Sequence, residues 1–407
     1  MKIFKSEKKE KTKTDGPKKI LIINTGSASK KYSVFEGGKK IYNAHFEMEN
    51  GVYIVTEKIG EASEKSPISR RVFERSIERV LGGLINKKII ASKEGIDAAG
   101  IRIVAPGQYF LTHRIIDKEF LKMAKLALEK VPLHLGPALE EIKMFKKTFG
   151  DDVVMIGVSD SVFHNTIPAK AKLYAIPIQD SRDLGLQKFG YHGISIQSVI
   201  SQAEKILGAL PAKVVVCHIG GGVSVTAVKD GKSMDTSMGF TPLDGLVMAT
   251  RVGEIDPGAV IYLADKLGMR MSKLEEYFNE KCGLLGLSGK SGDVRDLIEA
   301  EKTGDKDSSL ALDIYAERLK KYIGSMSAVL GGIDLLIFAG TVGERSFIMR
   351  GRICEGLQFL GIDLDMELNN KSEGVEVELS APGSKTKILV VKTDEMEEIA
   401  KSVEGIL

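Results

Sequence analysis

Short apolar runs recur along this chain, and several of them end in turns rich in glycine or small polar residues. This pattern predicts buried β-strands that lead into tight loops. The run at residues 20–23 leads into a polar turn, and strands are expected at 32–35 and 40–44 on either side of a Gly-Gly turn. The same order returns with strand 214–217, three consecutive glycines and strand 224–228, which indicates a duplicated domain.

Between and after these repeats, apolar residues recur at intervals of three and four, the spacing of one face of a helix. Helices are therefore predicted at residues 121–130, 138–147, 308–330 and 395–403, and further strands at 153–158, 334–339 and 388–391. The long helix is expected to face the core or a second copy of the chain. The alternation of strands and helices predicts the α/β class.

Length and composition narrow the class of protein. A chain of 407 residues is longer than one ordinary core, so two domains are expected. The hydrophobic content of 43% is typical of a globular protein, and no apolar run approaches the ~18 residues of a membrane span. The three cysteines lack metal-ligand spacing, which favours a reduced, cytoplasmic protein with free thiols.

The net charge of +3 is unevenly distributed. Residues 1–19 contain eight Lys and three acidic residues, a local charge of +5, so the rest of the chain carries −2. That balance argues against nucleic acid as a partner of the protein body. The tail has no apolar segment of the kind that a secretory signal requires, and residues 1–18 are expected to form a disordered basic tail.

The most specific motifs lie in the second half of the chain. A strand leads into Cys-His-Ile-Gly-Gly-Gly at 217–222, where glycine backbones can direct N–H groups at an anion. A glycine triplet alone is a weak signal. However, Asp-Thr-Ser-Met-Gly-Phe-Thr-Pro-Leu-Asp-Gly at 235–245 and Thr-Arg-Val-Gly-Glu-Ile-Asp-Pro at 250–257 follow it. Together with the run 283–296, these motifs resemble the acetate kinase family, whose members phosphorylate a short-chain carboxylate with ATP.

This resemblance extends in order from Ile20 to the C-terminus. It implies the duplicated actin-like ATPase fold, which is ribonuclease H-like, with the active site in the cleft between two domains. The expected boundaries are 19–160 for the first domain and 161–394 for the second. The terminal helix, within 395–407, is expected to pack back on the first domain.

Transfer of the γ-phosphoryl group of ATP to a carboxylate joins two anions. The acceptor is already ionised at neutral pH, because a free carboxyl group titrates near ~4, so a general base is not needed. The site must supply charge neutralisation, in-line alignment and a metal ion that bridges the phosphates. Arginines, a histidine donor and oxygen ligands for Mg²⁺ are the expected residue types.

Four residues carry this chemistry by resemblance to the family. Arg102 would hold the substrate carboxylate, His192 would donate to the γ-phosphoryl oxygens, and Arg251 would stabilise that group from the opposite side. Asp160 would orient Arg102 or a Mg²⁺-bound water. The alternatives are a surface ion pair for either arginine, a helix cap for Asp160 and a structural role for His192.

An apolar pocket for the acyl group is implied in the same way. Its residues would be Val104, Leu133, Tyr191 and Pro242. Tyr191 replaces a phenylalanine of the family, and its added hydroxyl is expected to bear on which acid is preferred. His134, next to this pocket, would either contact phosphate or serve as a structural histidine.

The resemblance also assigns residues to the nucleotide and the metal. The turn after the first strand resembles the family signature Asn-x-Gly-Ser-Ser-Ser-x-Lys, with Ser27 kept and Ala28 in place of a serine. Asn24 would lie near Mg²⁺, unless this is only a polar turn, and Glu395 would position Mg²⁺ or complement a helix dipole. The residues assigned to ATP are Lys31, His218, Ile219, Gly220, Gly221, Gly222, Asp293, Val294, Arg295, Thr341, Val342, Gly343, Glu344 and Arg345.

The chain departs from the family pattern at several positions of the expected site. In the loop 101–106, beside Arg102, two histidines and a glycine of the family are replaced. Gly221 stands for an asparagine of the phosphate turn, and Thr341 for a glycine that lets the base approach. We expect these changes to affect the placement of Arg102 and the affinity or choice of nucleotide.

The sequence thus predicts an enzyme that converts acetate and ATP reversibly into acetyl phosphate and ADP, with Mg²⁺ or alternatively Mn²⁺. A homodimer is expected by resemblance, without nucleic-acid or membrane partners. Propionate is the nearest alternative substrate, whereas butyrate kinases lack the run 238–242. A nucleotide-binding homologue without turnover is a second alternative. A chaperone-like ATPase is a third, which would need a further domain for its protein client.

Overall fold

The computed structural model of this chain describes residues 17–26, 29–49 and 51–407. The predicted disordered tail at 1–18 lies outside this range except for its last two residues, as do Ser27 and Ala28 of the first turn. Within the described range, the backbone forms two mixed β-sheets with helices packed around them. This arrangement confirms the predicted α/β class.

The first sheet holds the strands of the N-terminal part of the chain. These are β1 (Lys19–Thr25), β2 (Ser29–Glu36), β3 (Lys39–Glu49), β4 (Val52–Ile59), β5 (Ala62–Ile68), β6 (Ala98–Ile103), β7 (Arg114–Ile115) and β8 (Val154–Ser159), in the order β5-β4-β3-β2-β1-β6-β8-β7. β1 runs parallel to β6, and β6 runs parallel to β8, so their carboxyl ends meet at one edge. Asn24, Arg102 and Asp160 lie at or just after these three ends.

The second sheet repeats the arrangement of the first. Its strands are β9 (Lys213–Ile219), β10 (Val223–Lys229), β11 (Lys232–Thr236), β12 (Leu335–Ala339), β13 (Val377–Glu378) and β14 (Lys387–Val390), in the order β11-β10-β9-β12-β14-β13. The succession β11-β10-β9-β12-β14 corresponds to β3-β2-β1-β6-β8, with the same parallel and antiparallel pairs. The predicted duplication is therefore confirmed.

Helices connect the strands and cover both sheets. They are α1 (Arg70–Glu74), α2 (Ser76–Asn86), α3 (Lys118–Leu128), α4 (Pro132–Phe149), α5 (Ala169–Lys172), α6 (Ile178–Leu184), α7 (Gly193–Leu207), α8 (Pro257–Lys266), α9 (Met271–Glu280), α10 (Gly283–Ser288), α11 (Val294–Lys302), α12 (Lys306–Leu330), α13 (Gly340–Arg345), α14 (Phe347–Cys354), α15 (Met366–Asn370) and α16 (Glu395–Glu404). None of the described helices has the length and apolar character needed to cross a membrane.

Three helices begin earlier than the apolar spacing predicted, α12 by two residues and α3 and α4 by more. α3 starts at Lys118, because the side chain of Asp117 accepts a hydrogen bond from the Phe120 N–H at 2.8 Å and caps the helix. α4 starts at Pro132, since proline is well tolerated in the first turn of a helix. Apolar spacing marks the buried face of a helix, whereas its capping residues set the ends.

Apolar side chains fill both faces of each sheet. On one face of the first sheet, α2 and α4 cover a core that includes Tyr32 and Phe145. The opposite face of β1, β6 and β8 is covered by α16, where Ile399 packs in one cluster with Ile22. α7 covers β9 and also contacts α16. These two helices therefore lie between the sheets and fix how their carboxyl edges face each other.

Candidate active site

Asp160 and Arg102 form an ion pair at the carboxyl edge of the first sheet. Nη2 of Arg102 donates to Oδ2 of Asp160 at 2.7 Å, and Nη1 lies 3.9 Å from Oε2 of Glu395. Asp160 is fully buried, while 20% of the Arg102 side chain is exposed. Nε of Arg102 is itself buried and has no hydrogen-bond partner among the described residues.

Their mutual attraction keeps both groups charged. Burial raises the pKa of Asp160, but the charge and hydrogen bond of Arg102 and two backbone N–H groups outweigh it and hold that pKa below its usual value. Burial also lowers the pKa of Arg102, and Asp160 and Glu395 outweigh it and raise that pKa above its usual value. Asp160 is therefore a carboxylate at neutral pH.

Asp160 also holds the start of α7 and the strained residue before it. His192 has a φ of 61°, which is uncommon for a residue other than glycine, and its N–H donates to Oδ2 of Asp160 at 2.8 Å. The next N–H, from Gly193, donates to the Asp160 carbonyl at 2.8 Å. A Cβ atom at Gly193 would lie 2.3 Å from that carbonyl, so glycine is required there.

The imidazoles of His192 and His218 lie side by side at the glycine turn between β9 and β10, with ring centroids 4.3 Å apart. A Cβ atom at Gly222 would lie 3.1 Å from Nε2 of His192, and one at Gly220 would lie 3.9 Å from Nε2 of His218. Burial is the main cause that lowers the pKa of both rings, and for His192 the other ring and two arginines add to it. Both rings are therefore neutral near pH 7, with Nε2 facing the turn.

Two buried serines that sequence reasoning missed hold these rings. Oγ of Ser224 lies 3.0 Å from Nδ1 of His192, and Oγ of Ser195 lies 2.7 Å from Nδ1 of His218. The pairing is crossed. Ser224 stands opposite His218 in the β9–β10 ladder but contacts the other histidine, and Ser195 follows His192 on α7 but contacts His218. Both serines lie beside recognised motifs, but each contacts the histidine of the other motif and not the one that is nearer in sequence.

Arg251 reaches the same turn with an uncompensated charge. Its Nη1 donates to the Pro242 carbonyl at 2.9 Å and lies 3.4 Å from Sδ of Met248, and a Cβ atom at Gly222 would lie 3.5 Å from Nη2. Within residues 17–26, 29–49 and 51–407, no carboxylate forms an ion pair with it. Burial, with a smaller effect from Arg102, lowers its pKa to about 10, so it stays cationic at neutral pH.

His134 lies within the field of both arginines. Its pKa is lowered to about 3 by burial, with further contributions from Arg251 and Arg102. The ring is therefore neutral near pH 7. This placement is compatible with a phosphate contact and with a purely structural role, so both alternatives stay open.

Asn24 and Glu395 bring an amide and a carboxylate together at the end of β1. Nδ2 of Asn24 donates to Oε2 of Glu395 at 2.7 Å, and Glu395 is the first residue of α16. Mg²⁺ in phosphoryl-transfer sites uses one or two carboxylates together with water and phosphate oxygens. This donor set fits such an ion. The described residues contain no cluster of three or more His, Cys, Asp or Glu that could enclose a metal alone.

The glycine turn lies beside one segment assigned to adenosine and is linked to the other through Ala249. The Gly221 carbonyl accepts a hydrogen bond from Ala249 N–H at 3.2 Å, and a Cβ atom at Gly292 would lie 2.7 Å from the Ala249 carbonyl. The residues just before α11 are therefore packed against the loop that contains Ala249. On the other side, a Cβ atom at Gly220 would lie 4.0 Å from the Thr341 nitrogen, in the first turn of α13.

The remaining residues assigned to ATP differ in exposure. Asp293 caps α11 by accepting from Arg295 N–H at 2.8 Å, and the exposed Arg295 side chain returns to the same carboxylate at 2.6 Å. Lys31 is exposed opposite Asn24 in the β1–β2 ladder, and it forms no ion pair within the described chain. Those that are buried are Ile219, Val294 and Gly343, those partly buried are Val342 and Glu344, and Thr341 and Arg345 are exposed.

The expected acyl pocket lies against a segment that two tyrosines hold in place. Oη of Tyr191 donates to the Phe240 carbonyl at 2.6 Å, and Oη of Tyr174 accepts from the Phe240 N–H at 2.7 Å. The Tyr191 hydroxyl, which is expected to bear on acid preference, therefore already donates a hydrogen bond within the protein. No motif pointed to Tyr174. Of the other pocket residues, Pro242 is buried, and Leu133 is 39% exposed at the start of α4. Val104 packs against the hydrophobic core of the second sheet.

Comparison with known sequences agrees with these motifs. The sequence profile of the Acetokinase family matches residues 19–401. An acetate kinase of Dictyoglomus turgidum is 38% identical over 391 residues, which cover 94% of this chain and 96% of that protein. An acetate kinase of Halothermothrix orenii is 37% identical over 407 residues, which cover 96% of this chain and 99% of that protein.

Solved structures share the fold over nearly the whole chain. Porphyromonas gingivalis acetate kinase has a TM-score of 0.84 at 33% identity, and the match covers 96% of this chain and 99% of that one. A propionate kinase from Francisella tularensis has a TM-score of 0.86 at 33% identity, with 95% and 98% covered. The predicted duplicated actin-like ATPase fold is confirmed by these two structures.

Proposed function

The chain belongs to the acetokinase family, and we propose that it is an acetate kinase that transfers the γ-phosphoryl group of ATP to acetate, forming acetyl phosphate and ADP. One observation carries the proposal. Arg251, a cation that has no carboxylate partner among the described residues, and the neutral ring of His192 both face the backbone of Gly222. Arg102, whose charge acts on both groups, has 20% of its side chain exposed. This combination suits the approach of two anions.

The reaction requires no proton transfer. An oxygen of the acetate carboxylate forms the new bond to the γ-phosphorus, while the bond from that phosphorus to the oxygen shared with the β-phosphate breaks. The electron pair of the broken bond leaves with ADP. Arg102 would hold the carboxylate, and Arg251 and His192 would bind the oxygens of the phosphoryl group during its transfer.

In this proposal Asp160 orients Arg102 and His192. It is a fully buried carboxylate that accepts hydrogen bonds from Arg102 and from the backbone of His192, so it sets the position of two groups at once. Its pKa is held below the usual value, which leaves it without a proton to donate at neutral pH. It also holds the N-terminus of α7, so the alternative of a helix cap is compatible with the same geometry.

Mg²⁺ would be held by Asn24 and Glu395 and, when bound, would neutralise charge on the β- and γ-phosphates. Mn²⁺ is expected to substitute for it. The backbone of the turn 220–222, with His218, would bind the phosphates. The segments 293–295 and 341–345 would take the adenosine. Thr341 lies beside that turn, and Gly292, next to Asp293, packs on Ala249, which donates to the Gly221 carbonyl.

Propionate is the second candidate acid. The Tyr191 hydroxyl donates its hydrogen to the Phe240 carbonyl and so has no free donor for a substrate. An apolar pocket is compatible with an acid that is longer by one methylene, and a propionate kinase from Francisella tularensis is among the similar solved structures. A difference of one methylene changes binding by only ~1–3 kcal/mol in such pockets.

The test is acyl phosphate formation from Mg-ATP with acetate, propionate and butyrate in parallel, trapped as the hydroxamate. The highest kcat/KM is expected with acetate. A preference for propionate would keep the mechanism and change the substrate. No product with any acid, while ATP still binds, would overturn the proposal in favour of a nucleotide-binding homologue without turnover.

We further propose two domains, residues 19–160 with 395–407, and residues 161–394. The packing of α16 across β1, β6 and β8 supports the return of the terminal helix to the first domain. If ligands draw the two domains together, small-angle scattering should give a smaller radius of gyration with Mg-ADP and acetate than without. An unchanged radius would count against closure.

A homodimer is the proposed assembly. α8 has no buried residue, and Ile261, Tyr262 and Met271 of α8 and α9 are 72%, 65% and 73% exposed. Apolar side chains this exposed favour burial against a second copy. Sedimentation equilibrium should give twice the chain mass, and an Ile261→Arg variant should shift the protein towards the monomer. A monomeric wild-type protein would refute this assembly.

A further inference from the structure

Three histidines in this protein, two of them buried and one partly buried, make the same contact with a buried serine. In each case Nδ1 of the ring lies within hydrogen-bond distance of the serine Oγ, and each serine is 0% exposed. The pairs are His164 with Ser233 at 2.9 Å, His192 with Ser224 at 3.0 Å and His218 with Ser195 at 2.7 Å.

For His164 the direction of the hydrogen bond follows from the structure. Its Nε2 lies 2.9 Å from the Tyr191 carbonyl, which can only accept, so Nε2 carries the proton. Burial lowers the pKa of this ring to about 4, and a neutral imidazole has a single N–H. Nδ1 of His164 is therefore the acceptor, and the hydroxyl of Ser233 donates to it.

His192 and His218 stand in the same relation to their own serines, but their Nε2 atoms face the glycine turn. Phosphate oxygens accept hydrogen bonds and do not donate them. A neutral ring can bind such an oxygen through Nε2 only if Nε2 carries its single proton. Nδ1 must then accept, and the serine behind each ring must donate.

The surroundings favour neutral rings. A second proton on His192 is opposed by burial and by cationic neighbours, so the ring has to rely on its tautomer and not on charge to act as a donor. The groups that face His192 are His218, Arg102, Arg251, His164 and Asp160, and those that face His218 are Glu395, Arg102, Asp160 and His192.

We propose that Ser224 and Ser195 are positioning residues that donate to Nδ1 of His192 and His218 and thereby hold both rings in the Nε2–H tautomer, aimed at the phosphoryl group. The identity of that group rests on the proposed function. The tautomers, in contrast, are a property of the protein alone. Because the pairing is crossed, each serine also ties α7 to the β9–β10 hairpin, so the two rings keep a fixed spacing.

The tautomers can be read directly by NMR of the full chain labelled with ¹⁵N-histidine, since the chain contains six histidines. At pH 7, wild-type protein should show the Nε2–H form for His192 and His218. Ser224→Ala should let His192 populate the Nδ1–H form and lower kcat on the order of tenfold, as expected for one lost hydrogen bond. Ser195→Ala should do the same through His218.

Ser233→Ala is the matched control. It removes the same kind of hydroxyl from a buried histidine, but the Tyr191 carbonyl still requires the Nε2–H form of His164. The tautomer of His164 should therefore stay unchanged. Ser224→Thr, which keeps the hydroxyl, should restore the His192 tautomer and most of the turnover. Equal melting temperatures among the variants would exclude a general folding defect as the cause.

Two results would overturn the proposal. One is a wild-type protein in which His192 or His218 carries its proton on Nδ1. The other is a folded Ser224→Ala protein in which the tautomers and kcat are both unchanged. Nε2–H rings that respond to the serine variants in a protein that forms no acyl phosphate would support the assignment of the serines and refute the proposed function instead.

Discussion

At the scale of single residues, Arg251 differs from the other arginine of the site. Arg102 has a carboxylate partner in Asp160, whereas Arg251 contacts the Pro242 carbonyl and the Met248 sulfur. A partly buried cation without an anion lowers stability unless a ligand supplies the missing charge. A site that binds phosphate in the same place would supply it.

Replacement of Arg251 by alanine tests this interpretation. We expect kcat to fall by about 10²–10³, the usual loss for one preorganised donor to a transition-state oxygen. The melting temperature should stay the same or rise slightly, because an unpaired charge is removed. Steady-state kinetics and thermal unfolding measure the two effects. Arg318→Ala, at an exposed ion pair with Glu254, is the control that should change neither. Wild-type turnover in Arg251→Ala would refute the assignment.

The hydroxyl of Tyr191 makes a second prediction. Tyr191→Phe removes the hydrogen bond to the Phe240 carbonyl, and we expect a loss of about 1 kcal/mol in the free energy of unfolding. The ratio of kcat/KM for acetate and propionate should change by less than about twofold, since an apolar pocket distinguishes such acids by size. Tyr174→Phe, on the other side of the same peptide, is the comparison variant. A tenfold change in the ratio would show that the hydroxyl does reach the substrate.

Residue types and motifs in the sequence indicated most of the groups that the structure brings to the glycine turn. Arg102, Asp160, His192 and Arg251 come from four separate segments, and each was marked by its own local pattern. The roles of Ser224 and Ser195 could not be read in this way. Their partners are set by the packing of α7 against a hairpin, which no local pattern encodes.

At the scale of secondary-structure elements, the contact between α16 and the first sheet depends on a missing side chain. Gly100 of β6 faces the terminal helix, and a Cβ atom there would lie 2.5 Å from Cγ2 of Val403 and 3.1 Å from Cγ2 of Ile399. The helix can lie this close to the sheet only because the position is glycine. Its first residue, Glu395, is thereby held beside Asn24.

Gly100→Ala should therefore destabilise the protein by about 1–3 kcal/mol, as overpacking of a core does. Chemical denaturation measures the change, and Val403→Ala in the same chain should recover part of it. Gly82→Ala is the matched control, since this helical glycine of α2 has no atom within 4 Å of the added Cβ. That variant should gain up to about 1 kcal/mol. Equal stability of the Gly100 variant and wild type would contradict the tight packing.

The hydrophobic pattern predicts the strands whose side chains are apolar and buried, but it does not predict every strand. β5 is almost entirely exposed, and its residues are mostly small or charged, so it lacks the alternation that marks a half-buried strand. It forms because β4 offers it an unpaired edge. Such a strand forms because of its neighbours in the sheet, and the hydrophobic pattern of its own sequence does not predict it.

At the scale of the whole molecule, the buried His164 and the partly buried His134 make stability depend on pH. The pKa of His164 is about 4 and that of His134 about 3, against 6.5 for a free side chain. Between pH 6.5 and about 4, the unfolded chain binds more protons than the folded one, so stability falls as the pH falls. Each such histidine contributes a slope of about 1.4 kcal/mol per pH unit.

Urea unfolding between pH 7 and 4 should show this decline. His164→Gln, which removes one titrating ring, should make the slope shallower by about one proton equivalent. A wild-type protein with the same stability at pH 7 and pH 4.5 would contradict the neutral state of these rings. A His164→Gln variant with the wild-type slope would show that other groups cause the decline.

Hydrogen bonds from Asp160 through His192 to Ser224 link the carboxyl edge of the first sheet to the β9–β10 hairpin. The central claim is that the group bound beside them is the γ-phosphoryl of ATP on its way to acetate. ³¹P NMR of the full chain with Mg-ATP and acetate tests it most directly. We expect acetyl phosphate and ADP to appear together in equal amounts, and the reaction to run in reverse when both are supplied. Release of inorganic phosphate in place of acetyl phosphate, or ATP that stays intact, would contradict it.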